Sequence, residues 1–296
     1  MISAFLQYLQ YEKNFSSHTV FAYKKDLEQF SLFVSDKYNT QNLTEVKSDY
    51  VRDWIISLKD TKLTSTSINR KISALRSFYK FCRKHNSNIG DPLAKVSAQK
   101  TGKKLPYFFK DSEIESVLSD NPIVDNFSDS RDDIILETLY DTGIRRAELI
   151  TIKDEDFNFF SLTLRVMGKG NKERLIPISN ILKVKAENYI NLKKSLFGNT
   201  DSFIVTDKGC STYPNFIYRV VKDKMSTVSM LDKRSPHVIR HTFASGMLNN
   251  GAELNAVKDL LGHANLSATQ IYTHTSFEQL RSIYKQAHPR NNKNNH

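Results

Sequence analysis

The sequence predicts a mainly α-helical protein of two domains with one small antiparallel β-sheet. Three features carry this. Apolar residues recur at helical spacing through residues 1–85 and again after Pro177. A stretch rich in Gly, Pro and Lys, without apolar periodicity, separates two patterned regions at 86–105. Two β-forming segments, Leu162 to Val166 and Arg174 to Ile178, flank the turn Gly168-Lys169-Gly170-Asn171-Lys172. A length of 296 residues is enough for two hydrophobic cores.

In chain order, Phe5, Leu6, Leu9 and Tyr11 begin the first amphipathic helix. Ser17 offers an N-cap before Thr19 to Tyr38, and Lys47 to Leu58 repeats the spacing. Ser67 can cap a fourth helix with the apolar stripe Ile68, Ile72, Leu75, Tyr79 and Cys82, while Ser73, Arg76, Ser77, Lys80 and Lys84 lie on another face. Residues 86–105 hold Gly90, Pro92, Gly102 and four lysines, the composition of an exposed linker, so the domain boundary is expected there. Helical spacing returns at Asp111 to Leu118 and Asp132 to Tyr140 and is broken by Gly143. After the hairpin, helices continue towards a polar tail at 289–296, expected to be disordered.

Composition narrows the function. Mean hydropathy is −0.47 and 25% of residues are charged, which excludes a membrane-spanning chain, and Met1 to Phe5 lack the features of a signal peptide, so a cytoplasmic protein is expected. Cys82 and Cys210 stand far apart, without metal-site spacing, and read as reduced thiols. The net charge is +11, and residues 1–104 hold 18 Lys and Arg against 9 Asp and Glu. Between Thr61 and Lys84 there are seven basic residues and no acid. An exposed face without internal counter-charge points to a polyanion such as DNA.

Four constellations could carry chemistry. In Thr142-Gly143-Ile144-Arg145-Arg146-Ala147-Glu148-Leu149, a glycine ends one helix and Arg145 opens the next, where free backbone N–H groups and a guanidinium could meet a phosphate. Lys169 stands at the hairpin tip. In Ser235-Pro236-His237-Val238-Ile239-Arg240-His241, His237 and Arg240 share a helix face; His237 and His241 are four apart, but no third ligand suggests a metal. In Leu260-Leu261-Gly262-His263, Gly262 reads as a helix C-cap from which His263 emerges, nine residues before Tyr272.

The order Arg, Lys, His-x-x-Arg, Gly-His, Tyr resembles that of the tyrosine recombinase (phage integrase) family over nearly the whole chain. G-K-G-N-K-E-R, S-P-H-V-I-R-H-T-F-A-S, L-L-G-H-A-N-L-S-A-T-Q-I-Y-T-H and A-H-P-R resemble its Xer-type subfamily, nearer the XerC branch than the XerD branch. The resemblance implies an N-terminal helical core-binding, SAM-like bundle (1–85), the linker (86–105), an α+β catalytic domain (106–288) and the tail. It maps the catalytic set onto Arg145, Lys169, His237, Arg240, His263 and the nucleophile Tyr272. Arg70, Lys71, Arg76, Lys80 and Lys84 of the basic helix are the expected DNA contacts. Departures are Ala147, where the family often has Ser, and Ser245-Gly246, where Xer proteins often have Thr-His; these bear on protomer contacts.

The implied activity is site-specific DNA recombination through a 3′-phosphotyrosyl intermediate and a Holliday junction, without metal, ATP or other cofactor. Resolution of chromosome dimers before cell division is the expected role. Implied partners are double-stranded DNA, a tetramer on two duplexes in which Phe277, Leu280, Ile283, Tyr284 and Ala287 are expected to dock on a neighbour (the alternative being their own domain), a second Xer-type recombinase and a regulatory DNA translocase. The rival readings are a mobile-element integrase of the same family, which commonly carries an extra arm-binding domain ahead of this pattern, a type IB topoisomerase, which shares the tyrosine chemistry, and a DNA-binding protein without catalysis.

Overall fold

The computed structural model describes residues 1–86, 88–102, 107–118, 126–168, 172–262 and 274–289. The chain divides into two compact units, Met1–Lys104 and Leu105–His296. No described helix is long and apolar enough to cross a membrane.

The described residues of the first unit form four α-helices, α1 (Ile2–Gln7), extended by a wider turn at Tyr8–Glu12, α2 (Ser17–Tyr38), α3 (Ser48–Asp60) and α4 (Ser65–His85), with a short 3-10 turn at Leu43–Glu45. Ser16, rather than Ser17, caps α2 by accepting the Thr19 N–H at 3.3 Å, and Asn39 closes it in the left-handed region. Thr64 caps α4 by accepting the Ser67 N–H at 3.3 Å, so this helix begins earlier than its apolar stripe suggests. Phe5, Leu27, Phe30, Val34, Trp54, Leu75 and Phe78 are buried between the helices, with Phe30 and Trp54 at 4.8 Å between ring centroids.

Part of the stretch expected to be an exposed linker belongs to this core. Ile89, Leu93 and Val96 are buried in it, Asn69 Nδ2 donates to the Gln99 carbonyl at 2.9 Å, and Gln99 N–H returns a bond to Asn69 Oδ1 at 2.6 Å. Burial of three apolar side chains outweighs the turn-rich composition of the segment.

The second unit comprises α5 (Asp111–Val117), α6 (Phe127–Thr142), α7 (Arg146–Thr151), β1 (Phe157–Asn158), β2 (Thr163–Met167), β3 (Glu173–Pro177), α8 (Asn180–Phe197), α9 (Pro214–Ser226), α10 (Pro236–Asn249), α11 (Leu254–Leu261) and α12 (His274–Ala287). The sheet is antiparallel in the order β1-β2-β3, with Leu164 opposite Ile176 and Val166 opposite Arg174. Gly168 N–H donates to the Lys172 carbonyl at 2.8 Å, closing the expected hairpin; Lys169 to Asn171 lie outside the described residues.

Helix α6 is buried along nearly its whole length, from Ser130 to Thr142, and two of its carboxylates take up bonds from α8 and the turn before it: Lys185 Nζ donates to Glu137 Oε2 at 2.7 Å, and Ser179 N–H to Asp141 Oδ2 at 3.0 Å. Helix α12 buries Leu280, Tyr284 and Ala287 in the same core. Tyr284 donates its hydroxyl to the Asp141 carbonyl at 3.1 Å, and Asn250 Nδ2 to the Ala287 carbonyl at 2.9 Å. Leu280, Tyr284 and Ala287 of the stripe expected to dock on a neighbour therefore pack within their own unit, where α10, α11 and β3 lie against α12. Gly246 fits this arrangement, since a β-carbon there would lie 2.8 Å from Pro289 Cγ. Residues 290–296, most of the expected disordered tail, lie outside the described residues.

Candidate active site

The site is built around the end of α11. The last carbonyls of a helix have no partner within it and carry negative partial charge. Here three guanidinia fill that need. Arg174 Nε donates to the Leu260 carbonyl at 3.0 Å, Arg145 Nη1 and Arg240 Nη2 both donate to the Leu261 carbonyl at 3.3 and 2.7 Å, and Arg145 Nη2 donates to the Gly262 carbonyl at 3.2 Å.

Each arginine is delivered by its element. Gly143 stops α6 with φ +61°, and a β-carbon there would lie 2.4 Å from Phe243 Cδ1, so only glycine lets the chain turn sharply into α7. Two residues on, Arg145 sits at the N-cap of α7, where its N–H donates to Glu148 Oε2 at 2.7 Å and its Nη1 to Glu148 Oε1 at 2.9 Å. Arg240 lies one turn into α10, which begins at Pro236, and donates Nη1 to the Gly143 carbonyl at 2.7 Å.

Arg174 and Glu148 were not expected in the site. Arg174 comes from β3, buried, and its fork grips Glu148 with Nη1 to Oε1 at 3.1 Å and Nη2 to Oε2 at 2.9 Å. The signal was a charged residue at an inward strand position, in line with buried Ile176.

Three guanidinia against one carboxylate leave the site cationic. Burial raises the Glu148 carboxyl, but the bonds and charge of Arg174 and then of Arg145 outweigh it and hold the group below its ordinary range. Burial, followed by repulsion from Arg145, lowers Arg240 to about 10, with Glu148 opposing. His237 is lowered by partial burial and by the charges of His241, Arg240, Arg145 and Lys233, so its imidazole is neutral at neutral pH. Its Nε2 lies 3.0 Å from His241 Nε2.

Arg145, His237 and Arg240 line one open cavity of about 400 Å³ together with Ile144, Arg146 and Tyr218. Arg145 keeps 40% of its side chain exposed there, so its guanidinium is within reach of a ligand. Three of the six expected catalytic residues are thus brought together. Lys169, His263 and Tyr272 lie outside the described residues.

The expected DNA contacts of the first unit divide. Lys71 is buried, its Nζ 2.9 Å from Oδ1 of the buried Asp26, which removes it from the cationic face. The reason is its position between Ile68 and Leu75 on the core side of α4. Arg70 is half-exposed but forks onto the same carboxylate, with Nη2 2.9 Å from Asp26 Oδ1. Arg76 donates to the Val96 carbonyl from an exposed position. Lys80 and Lys84 are exposed, Lys84 with its Nζ 5.9 Å from the Tyr8 ring centre.

Residues 108–279 match the phage integrase family, and residues 2–86 match the phage integrase N-terminal SAM-like domain. The tyrosine recombinase XerC of Staphylococcus saprophyticus is 40% identical over 293 residues, covering 99% of this chain and 98% of the relative. That of Staphylococcus aureus is 39% identical over 293 residues, covering 99% and 97%. Among solved structures, XerA recombinase aligns at 26% identity over 97% of this chain and 98% of its own, with a TM-score of 0.50. XerH bound to its palindromic difH substrate in a post-cleavage complex shares the fold at 20% identity over 96% and 84%, TM-score 0.70. A lambda integrase tetramer bound to a Holliday junction does so at 14% over 91% and 79%, TM-score 0.66. Whole-length similarity to recombinases of one kind, added to matches in both units, makes the chain a member of the phage integrase family and, within it, a Xer-type site-specific tyrosine recombinase.

Proposed function

We propose that this recombinase cuts and rejoins duplex DNA at one phosphodiester per strand, with Tyr272 as nucleophile and Arg145, Lys169, His237, Arg240 and His263 as the rest of the catalytic set. The observation that carries the reading is the single cavity lined by Arg145, Arg240 and a neutral His237. A phosphodiester repels a nucleophile, and attack builds further charge on its non-bridging oxygens, so cationic donors held in place beforehand lower the barrier. Each guanidinium is fixed by helix-end carbonyls rather than by substrate, which is the preorganisation required.

In the forward step the Tyr272 oxygen forms a bond to phosphorus as the bond to the 5′ oxygen breaks. His237 accepts the phenolic proton, and Lys169 protonates the departing 5′ oxygen. The ester retains the energy of the original bond, so the reverse step with another 5′ hydroxyl rejoins the strand to a partner duplex without ATP. The basic residues Arg76, Lys80 and Lys84 of the first unit supply phosphate contacts.

The XerH and lambda integrase structures carry a difH substrate and a Holliday junction, and by extension we read this chain as a tetramer holding two duplexes. Its similarity to XerC proteins supports a role in the cytoplasm in resolving chromosome dimers before division, with a second Xer-type recombinase and a DNA translocase as partners. The test is Tyr272→Phe on a nicked suicide duplex. Binding should persist while the covalent protein–DNA adduct disappears, and an adduct formed by the variant would remove Tyr272 from the nucleophile's role.

A further inference from the structure

The buried guanidinium of Arg174 joins three parts of the site, although it does not line the cavity. Its fork holds both oxygens of Glu148, which in turn holds the Arg145 guanidinium and backbone N–H. Its Nε holds the Leu260 carbonyl at the end of α11. Two glycines also lie against it. A β-carbon on Gly168 would sit 3.3 Å from Arg174 Nη1, and one on Gly262 would sit 3.0 Å from the same atom and 3.1 Å from Cζ. Gly262 is further restricted by φ +65°. The next residue after Gly168 is Lys169, and the next after Gly262 is His263.

We infer that Arg174 is a positioning residue, a single post that sets the points from which the segments bearing Lys169 and His263 depart and, through Glu148, the orientation of Arg145. This rests on the reading that Lys169 and His263 belong to the catalytic set. The physical reason for arginine is its planar fork, which meets a carboxylate with one edge and a carbonyl with Nε, while its flat face admits close backbone approach at two glycines. A lysine has one point of charge and cannot span these partners.

Arg174→Lys keeps the charge and is the variant to measure, with Arg174→Gln beside it; should the latter not fold, the former still decides. In Arg174→Lys, single-turnover cleavage should fall by up to about a hundredfold, the scale of an ångström-sized misplacement, while the Kd for DNA stays near wild type. Amide exchange at Gly168 and Gly262 should rise by about tenfold, the size of one missing buried hydrogen bond, with exchange in the middle of α6 unchanged. With sulfur in place of the 5′ bridging oxygen, which leaves without a proton, part of the cleavage defect should be recovered.

Wild-type cleavage by Arg174→Lys, or unchanged exchange at both glycines, overturns the inference. So does an equal defect on oxygen and sulfur substrates when Lys169→Ala, run alongside, is rescued by sulfur. If Lys169→Ala itself shows equal defects, Lys169 is not the general acid and the proposed mechanism fails at that residue, while the exchange at Gly168 and Gly262 still decides the role of Arg174.

Discussion

Arg145 and Arg240 donate to the same acceptor, the Leu261 carbonyl oxygen at the end of α11. Two like charges are thereby held side by side by a helix terminus, with Glu148 beside Arg145 as a counter-charge, and both residues line the same cavity. Replacing either by lysine keeps the charge and loses the fork. Arg145→Lys and Arg240→Lys should each slow single-turnover cleavage by about 10²–10³, or ~3–4 kcal/mol, the scale of one missing oxyanion donor. Near-normal rates in both variants would exclude a two-guanidinium clamp.

The histidine pair makes the reaction pH-dependent in a defined direction. His237 lies below the 6.5 of a free imidazole because of partial burial and then the charge of His241, with Arg240, Arg145 and Lys233 adding to it. In the proposed role of proton acceptor it would work only when neutral, so cleavage should be retained on acidification through 6.5 and fall at lower pH. His241→Gln removes the largest of the opposing charges, so His237 should rise and the acid limb move to higher pH. A pH–rate profile of the chemical step checks both, and an acid limb that ignores His241→Gln would separate the two rings.

In the first unit, Asp26 is the one acid that both Arg70 and Lys71 grip, and it is buried beside a buried lysine. Asp26→Ala would strand the Lys71 ammonium in the core, and a broken buried pair typically costs ~3–5 kcal/mol. Chemical denaturation should show a loss of that size, whereas Asp26→Ala with Lys71→Met should recover much of it. A single variant as stable as the parent would mean that Lys71 finds water instead.

Much of this was legible in the sequence, and the failures have physical causes. Helices with one apolar face, such as α3 and α4, announce themselves by spacing, whereas α6, buried on almost every side, shows only part of its length as a stripe. Two-residue β1 is too short to alternate. Gly, Pro and Lys concealed Ile89, Leu93 and Val96, whose spacing by four and three was itself a packing signal. Lys71 was misread because a charge suggests solvent, although its place between Ile68 and Leu75 put it on the buried face. Arg145, His237 and Arg240, which helix-start and helix-face arguments single out, line one cavity. Glu148 and Arg174 were missed because they meet across 26 residues of chain, which no local pattern reports.

The division among the basic residues of α4 sharpens what DNA binding should depend on. Lys80 and Lys84 are exposed, so replacing both by Ala should change the melting temperature little. The same pair should weaken DNA binding and flatten its log-log salt dependence by about 0.9 for each phosphate no longer neutralised, since such a phosphate keeps its counterions in the complex. Arg76→Ala should act differently, because its guanidinium also donates to the Val96 carbonyl that anchors the 88–99 segment; affinity and stability should fall together. Lys71→Ala, at a buried position, should lower stability without a specific change in salt slope. Melting temperature and salt slope measured across these variants separate the roles, and an unchanged slope in the Lys80/Lys84 double variant would show that this helix face does not lie against the duplex.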